Sequence, residues 1–299
     1  MTHYPPIAVF AYNRQDEIES SLLSLNANFN AEKFCIFIFC DGPKNSEDEK
    51  AVSATRRKIA SLKNKLNFSK IILTERSNNL GLAQSIILGV SEVLKKYDSI
   101  IVIEDDLYLN KNFLNFMKDA LEFYKYEEKI ISVSGYAPRT DSNMDINFSV
   151  RASSHGWATW RDRWKEVDWN VPELSVDLNS RSFLKLLAVG GEDLKRMLLN
   201  YSKGKLDSWA IRFVYHQVKF HMLSVVPKNS LVEIGGNKLH ATNTYNEKYL
   251  YKTKLETNEK ISHRFKRFEE YDLNYLRQFR KNHSNLSRIK HKILKFLNV

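Results

Sequence analysis

Short, wholly apolar runs alternate with amphipathic stretches along the first 135 residues of the chain. Pro6–Ala11, Phe34–Cys40, Ile71–Leu73, Ile100–Ile103 and Ile130–Val133 read as buried strands, rich in β-branched and aromatic residues. Between them, apolar residues recur at helical spacing: Ile18, Leu22 and Leu25, then Leu82, Ile86, Val90, Val93 and Leu94. A charged helix is expected over Glu47–Lys63. Another is expected after Asn110, carrying Phe113, Phe116, Met117, Ala120 and Tyr124 on one face. Strands separated by helices imply right-handed crossovers and an α/β fold with a mostly parallel sheet.

After Gly135 the pattern changes. Residues 148–170 hold Trp157, Trp160, Trp164 and Trp169. Helices are expected over Arg181–Ala188, Glu192–Asn200 and Asp207–His221, and strands over Leu223–Val226 and Leu231–Ile234. No internal repeat is present. Leu286, Ile289, Ile293 and Phe296 or Leu297 then recur at helical spacing, with Arg288, Lys290, Lys292 and Lys295 largely opposite. The pattern predicts a basic amphipathic helix at the end of the chain.

Composition narrows the class. The chain has 299 residues, 43% of them hydrophobic, enough for a sizeable core, and few glycines or prolines. Its net charge is +11. No acid follows Leu273, whereas seven basic residues do (277, 280, 281, 288, 290, 292 and 295). The first residues lack the features of a signal peptide, and no stretch of about 18 apolar residues suggests a membrane span. Cys35 and Cys40 lie in an apolar strand, so they read as buried free thiols in a reducing cytoplasm.

The chemistry concentrates in Ile100-Ile-Val-Ile-Glu104-Asp105-Asp106-Leu107. Carboxylates crowded at a strand end are costly unless a cation or a donor sits among them. Oxygen ligands suit a hard divalent cation, which commonly arrives with a substrate phosphate. Ligands of open α/β sheets bind at the carboxyl ends of the strands. The motif therefore suggests a metal-bridged nucleotide.

Several motifs together resemble the nucleotide-sugar glycosyltransferases of the GT-A fold, among them the Golgi N-acetylglucosaminyltransferase of N-glycan branching and bacterial surface-polysaccharide enzymes. They are Val9-Phe-Ala-Tyr-Asn-Arg14, Cys40-Asp-Gly42, Asn79-Leu-Gly-Leu82 and Val102-Ile-Glu-Asp-Asp-Leu107, with weaker matches at Leu206–Arg212 and Val225–Pro227. The likeness spans Pro6 to Ile234. It implies a GT-A (Rossmann-like) mostly parallel sheet flanked by helices, with a nucleotide-sugar-binding half (1–135) and an acceptor-binding and catalytic half (136–250). The C-terminal helical appendage, a basic amphipathic tail (251–299), is not covered by the likeness and is expected from periodicity and charge alone.

Carried over, the resemblance makes Asp106 the ligand of a divalent cation, Mn²⁺ or Mg²⁺, that holds the donor diphosphate. Asp105 faces the ribose beside Glu104, and Arg14 lies near the diphosphate, where a guanidinium fork suits phosphate. Asp41 would accept from the imide N–H of uracil, which argues for a UDP-sugar donor; it also fits a plain turn residue before Gly42. Asp207 aligns with the catalytic aspartate, the base that inversion requires on the acceptor hydroxyl. Asp207-Ser208 would equally serve as a helix cap. Many GT-A enzymes place a late histidine on the metal or the diphosphate, and the resemblance offers His240 as the candidate here. His155 and Trp157 fall in the acceptor region, where Trp157 could stack on a sugar or simply pack. The implied activity is inverting, metal-dependent transfer onto a glycan or lipid-linked glycan in bacterial capsule, O-antigen or lipooligosaccharide synthesis. The tail would hold the enzyme to anionic lipid at the inner face of the cytoplasmic membrane, though it could instead dock on its own domain or on a second copy. No nucleic-acid recognition motif accompanies the charge. The alternatives are a sugar nucleotidyltransferase, which would normally show a glycine-rich loop after the first strand, and a non-catalytic glycan- or membrane-binding protein.

Overall fold

The computed structural model describes residues 4–235, 253, 255–258 and 263–284. An eight-stranded sheet forms its centre. In chain order the strands and helices of its first half are β1 (Ile7–Ala11), α1 (Gln15–Asn26), β2 (Cys35–Cys40), α2 (Ser46–Leu62), β3 (Lys70–Glu75), α3 (Leu82–Leu94), β4 (Ser99–Glu104), β5 (Leu107–Leu109), α4 (Phe113–Phe123) and β6 (Ile130–Ser134). The second half adds β7 (Ile146–Ser149), β8 (Trp157–Trp160), α5 (Arg161–Glu166), α6 (Leu174–Asp177), α7 (Arg181–Val189), α8 (Asp193–Ser202), α9 (Trp209–Lys219), β9 (Leu223–Pro227), β10 (Val232–Ile234) and α10 (Leu273–Asn282).

The sheet order is β3-β2-β1-β4-β8-β6-β9-β7. The pairings β1–β2, β1–β4, β2–β3 and β6–β9 are parallel; β8 and β7 run against their neighbours. The sheet is thus mostly parallel, as the alternation implies. β7 and β8 are the two strands of this sheet that the apolar pattern does not announce, and the short β5 outside it is a third. β8 reads Trp-Ala-Thr-Trp, with Ala158 and Trp160 on one face and Trp157 on the other. It splits β4 from β6, which consecutive crossovers would have placed side by side.

Both faces of the sheet are covered. One buries Ile7, Val9, Ile36, Ile38, Ile101 and Ile103 under α1, α2 and α4. The other packs Phe10, Phe39, Val102 and Trp157 beneath α3, α5 and α9. A smaller apolar cluster joins α7, α8 and α9. The tryptophans belong to packing: Trp157, under 2% exposed, stacks on Trp209 at 4.6 Å and on Trp164 at 5.6 Å between ring centroids. The sugar-stacking alternative for Trp157 therefore fails. Asn112, not Asn110, precedes α4; Asn110 accepts instead from the Asn112 N–H at 2.7 Å, shaping the entry turn.

The chain's last described stretch is part of this body rather than an appendage. Tyr124 Oη donates to the Lys266 carbonyl at 2.7 Å, and Phe265 packs on Phe116, Phe123 and Tyr124. Phe268 sits edge-on to Phe148. Asp272 then caps α10 by accepting from the N–H groups of Asn274 (2.8 Å) and Tyr275 (3.0 Å). The basic periodicity of 286–297 lies outside the described residues. Cys35 and Cys40 are free thiols, and burial pushes Cys40 up to about 12.

Candidate active site

Parallel strands aim their carboxyl ends the same way. Because β1 lies between β2 and β4, the residues following these strands share one edge. Arg14 follows β1, Asp41 follows β2, and Asp105 and Asp106 follow β4. They line one cleft of about 690 Å³. The sequence motifs, up to 92 positions apart, are thus brought together by topology.

Arg14 holds the acidic motif. Its Nη1 donates to Asp106 Oδ2 at 3.0 Å, and its Nη2 donates to Asp105 Oδ1. Burial works against the guanidinium's charge, yet Asp105 and Asp106 outweigh it, so the group's pKa is raised. Burial pushes Glu104 up to about 8, and the charges of Asp106 and Asp105 add to the effect. Burial likewise pushes Asp105 up to about 7, with Arg14 pulling it down and Asp106 pushing it up. Three carboxyl groups thus share one guanidinium, and the cluster is short of positive charge.

That deficit is what a divalent cation relieves. Among the described residues no set of three or more His, Cys, Asp or Glu converges as a cation cage. Such an ion commonly binds through one or two carboxylates, with phosphates and water completing its shell. Asp106, which lines the cleft, fits that pattern. His240, the other expected ligand, lies outside the described residues. β10 pairs antiparallel with β5, and the Gly235 N–H donates to the Asp106 carbonyl at 2.8 Å.

Asp41 lines the cleft but is already engaged. Oδ1 accepts from the N–H groups of Gly42 (3.2 Å) and Leu80 (3.0 Å), and Oδ2 accepts from Gly81 (3.1 Å). Arg76 backs it at 3.9 Å. Its evident work is to pin the Asn79-Leu80-Gly81 turn to the end of β2. A bond to uracil would have to share these lone pairs. Gly42 is required here, because a Cβ would stand 2.5 Å from the Asn78 carbonyl carbon.

Asp207 stands where α9 begins. Ser208, not Asp207, caps that helix by accepting from the Ile211 N–H at 3.4 Å. The two readings of Asp207-Ser208 are therefore divided between adjacent residues. The Asp207 side chain is 66% exposed, faces the same cleft, and meets only the edge of buried Arg212 at 3.4 Å among the ion pairs of the described residues. It also approaches the Gly81 turn: a Cβ on Gly81 would lie 4.0 Å from Asp207 Oδ2. The turn that Asp41 pins therefore lies close to this candidate base.

Tyr12, inside the first motif, and His155 also line the cleft, as do residues of α8 and α10 that no motif contains. Tyr12 Oη donates to Asp48 Oδ2 at 2.5 Å across the cleft mouth, and burial with that bond raises Tyr12 to about 12. His155 reaches the cleft beside Asp106 and Arg151; burial lowers its pKa and favours the neutral ring. Arg151 forks onto Asp193, at 2.8 and 3.1 Å. Arg196, Met197 and Asn200 come from α8, and Tyr275, Phe279 and His283 from the α10 segment. The Tyr275/Phe279 spacing of four was the available signal.

The open α/β sheet thus carries at its strand ends a guanidinium–carboxylate cluster beside an exposed aspartate, the arrangement that the motif resemblance to GT-A enzymes implies. The sequence model described as the GNT-I family matches residues 2–174, more than half of the chain, and the chain belongs to that family. A search of curated proteins finds no match. Among solved structures it is similar to the mannosyltransferase PcManGT from Pyrobaculum calidifontis, in complex with GDP-Man and Mn²⁺, at 15% identity and TM-score 0.39, over 54% of this chain and 46% of that one. It is also similar to S. aureus TarS, at 15% identity and TM-score 0.43, over 82% and 42%. The chain spans less than half the length of either.

Proposed function

We propose that this protein is an inverting glycosyltransferase that moves a sugar from a nucleoside diphosphate, UDP in the first instance, to a glycan acceptor. The observation that carries the reading is the Arg14–Asp105–Asp106 cluster at the ends of β1 and β4, facing Asp207 in one cleft. Family membership supports it.

The chain's own residues divide the work. Arg14 is fixed by two carboxylates and presents a permanent cation where the diphosphate would lie. Asp105 and Glu104 line the ribose end of the cleft. Asp106 would hold Mn²⁺ or Mg²⁺, which supplies neutralisation of the charge that develops on the leaving diphosphate. Asp207, exposed and close to the Gly81 turn, takes the proton of the attacking acceptor hydroxyl. Asp41 keeps that turn in place. UDP is supported by the motif resemblance, with Asp41 as the uracil contact if its oxygens are shared.

The expected acceptor is a lipid-linked or growing surface glycan of a bacterium, and the expected location is the inner face of the cytoplasmic membrane. The support is the run of basic residues without acids after Leu273. Among the described residues no helix is long and apolar enough to cross a membrane.

The decisive variant is Asp207→Asn. It should bind UDP with Mn²⁺ as the parent does and lose at least about a hundredfold in transfer, as removal of a general base requires. Full turnover by this variant would take Asp207 out of the role.

A further inference from the structure

The cleft is polarised. Its acidic lining residues are Asp41, Asp48, Glu104, Asp105, Asp106 and Asp207. All of these follow β1, β2 or β4 or approach them across the Gly81 turn. The opposite half lies over β6, β9 and β7, where Ser134, Val226 and Ser149 form the floor. Around that floor the described lining residues include Arg151, Arg196, Asn200, Tyr275, Phe279 and His283, with Asp207 at its border in the loop after α8.

The walls of this half are built firmly. Asp193, fully buried, takes both arms of Arg151 and so anchors the start of α8. Arg196 follows one turn later, exposed on the cleft side, with no ion-pair partner among the described residues. The end of α10 abuts the start of α8 at Gly191. There φ is +130°, and a Cβ would stand 2.6 Å from Asp193 Oδ1 and 3.0 Å from His283 Cβ, so only glycine fits. Asp141 N donates to Gln278 Oε1 at 2.9 Å, and Ser142 Oγ donates to Asp272 Oδ2 at 2.8 Å, fixing the helix from its other side. His283 lies flat on Phe279, with centroids 4.4 Å apart. The outer positions of α10 are Arg277, Arg280 and Lys281, again without an acid.

We propose that this half of the cleft is an acceptor subsite for an anionic glycan, with Arg196 as its specificity-determining residue and α10 as one of its walls. A carboxylate or phosphate on the acceptor pairs with Arg196. The sugar bearing it lies against the His283–Phe279 face. Separation of charge along the cleft orients the acceptor, because its anion is repelled by the Asp105–Asp106 end and drawn to α8. This proposal rests on the glycosyltransferase reading for its word "acceptor", but not for the anionic site itself.

The test is calorimetry on the full chain at low ionic strength with three tetrasaccharides of equal length: one neutral, one carrying uronic acid, one carrying a phosphate monoester. UDP with Mn²⁺ is titrated into the same preparation. An acidic chain should bind about tenfold more tightly than the neutral one, the effect of one charge-assisted contact. Arg196→Glu should erase the preference, and Arg196→Lys should keep most of it. Arg196 is exposed, so neither change threatens folding. The uronate and phosphate arms distinguish the two sources of charge. UDP uptake with no acidic preference, or with a preference unmoved by Arg196→Glu, overturns the subsite and leaves the donor reading intact. Binding of no chain at all overturns it likewise. An Arg196-dependent preference without UDP uptake upholds the anionic site and sinks the donor reading.

Discussion

Removing the Arg14 guanidinium leaves Asp105 buried beside Asp106 and Glu104 with no opposing charge from that side chain. The cost expected for a broken buried pair is about 3–5 kcal/mol, far above that of a surface ion pair. Arg14→Ala should therefore lower the denaturation midpoint strongly as well as abolish donor binding. A variant as stable as the parent, by urea titration, would show that the cluster is not the electrostatic unit described. Arg14→Lys should rescue little, because a point charge cannot fork onto two carboxylates. At this scale much was legible in the sequence. Arg14, Asp105 and Asp106 sit in local motifs, and strand-end chemistry predicts where they meet. Asp41 was only half legible. Its partners, the N–H groups of Leu80 and Gly81, are 39 and 40 positions away, and nothing local announces them.

Helices and strands were read where hydrophobicity is periodic. α2, α3, α4 and α7 fall within a residue or three of their expected bounds, because each carries a regular buried face. β8 was missed for a physical reason: a strand in mid-sheet with tryptophans on both faces has neither polar alternation nor the β-branched run of β4. β7, Ile-Asn-Phe-Ser at the sheet edge, is only four residues long and buried throughout, so it shows no alternation either. The fate of α10 also depended on tertiary contacts, since Tyr275 and Phe279 supply only two buried side chains. Its capping aspartate carries a prediction. Burial would raise Asp272, but the N–H groups of Tyr275 and Asn274 and the Ser142 hydroxyl outweigh it and hold its pKa below the usual carboxylate value. A depressed carboxylate contributes stability above its unfolded-state pKa, and that contribution fades as pH falls through the folded value. Asp272→Ala should cost about 1 kcal/mol at neutral pH, the worth of an N-cap. The gap from the parent should close as pH drops below 3.8, the ordinary value. A gap independent of pH, in thermal melts from pH 7 to 3, would contradict this.

Among the described residues the main cleft is walled by three sources: the strand ends of the first half, α8 and α9 of the second, and the strap that ends in α10. The strap changes how the tail should be tested. A deletion from Leu273 would remove a cleft wall along with the basic segment, so the informative truncation removes 285–299 only. It should keep the melting behaviour of the core and lose co-sedimentation with vesicles containing anionic lipid, the loss being greatest at low salt. Sedimentation unchanged by the truncation would assign the basic segment another role. The central claim is that the acids after β4 and the arginine after β1 bind an activated-sugar nucleotide through a divalent cation. Calorimetric titration of UDP into the protein, with Mn²⁺ and with chelator, in the parent and in Asp106→Ala, tests it most directly. The account predicts uptake by the parent in Mn²⁺ alone and none by folded Asp106→Ala. Failure of the folded parent to take up UDP or any other nucleoside diphosphate, in either Mn²⁺ or Mg²⁺, would contradict it.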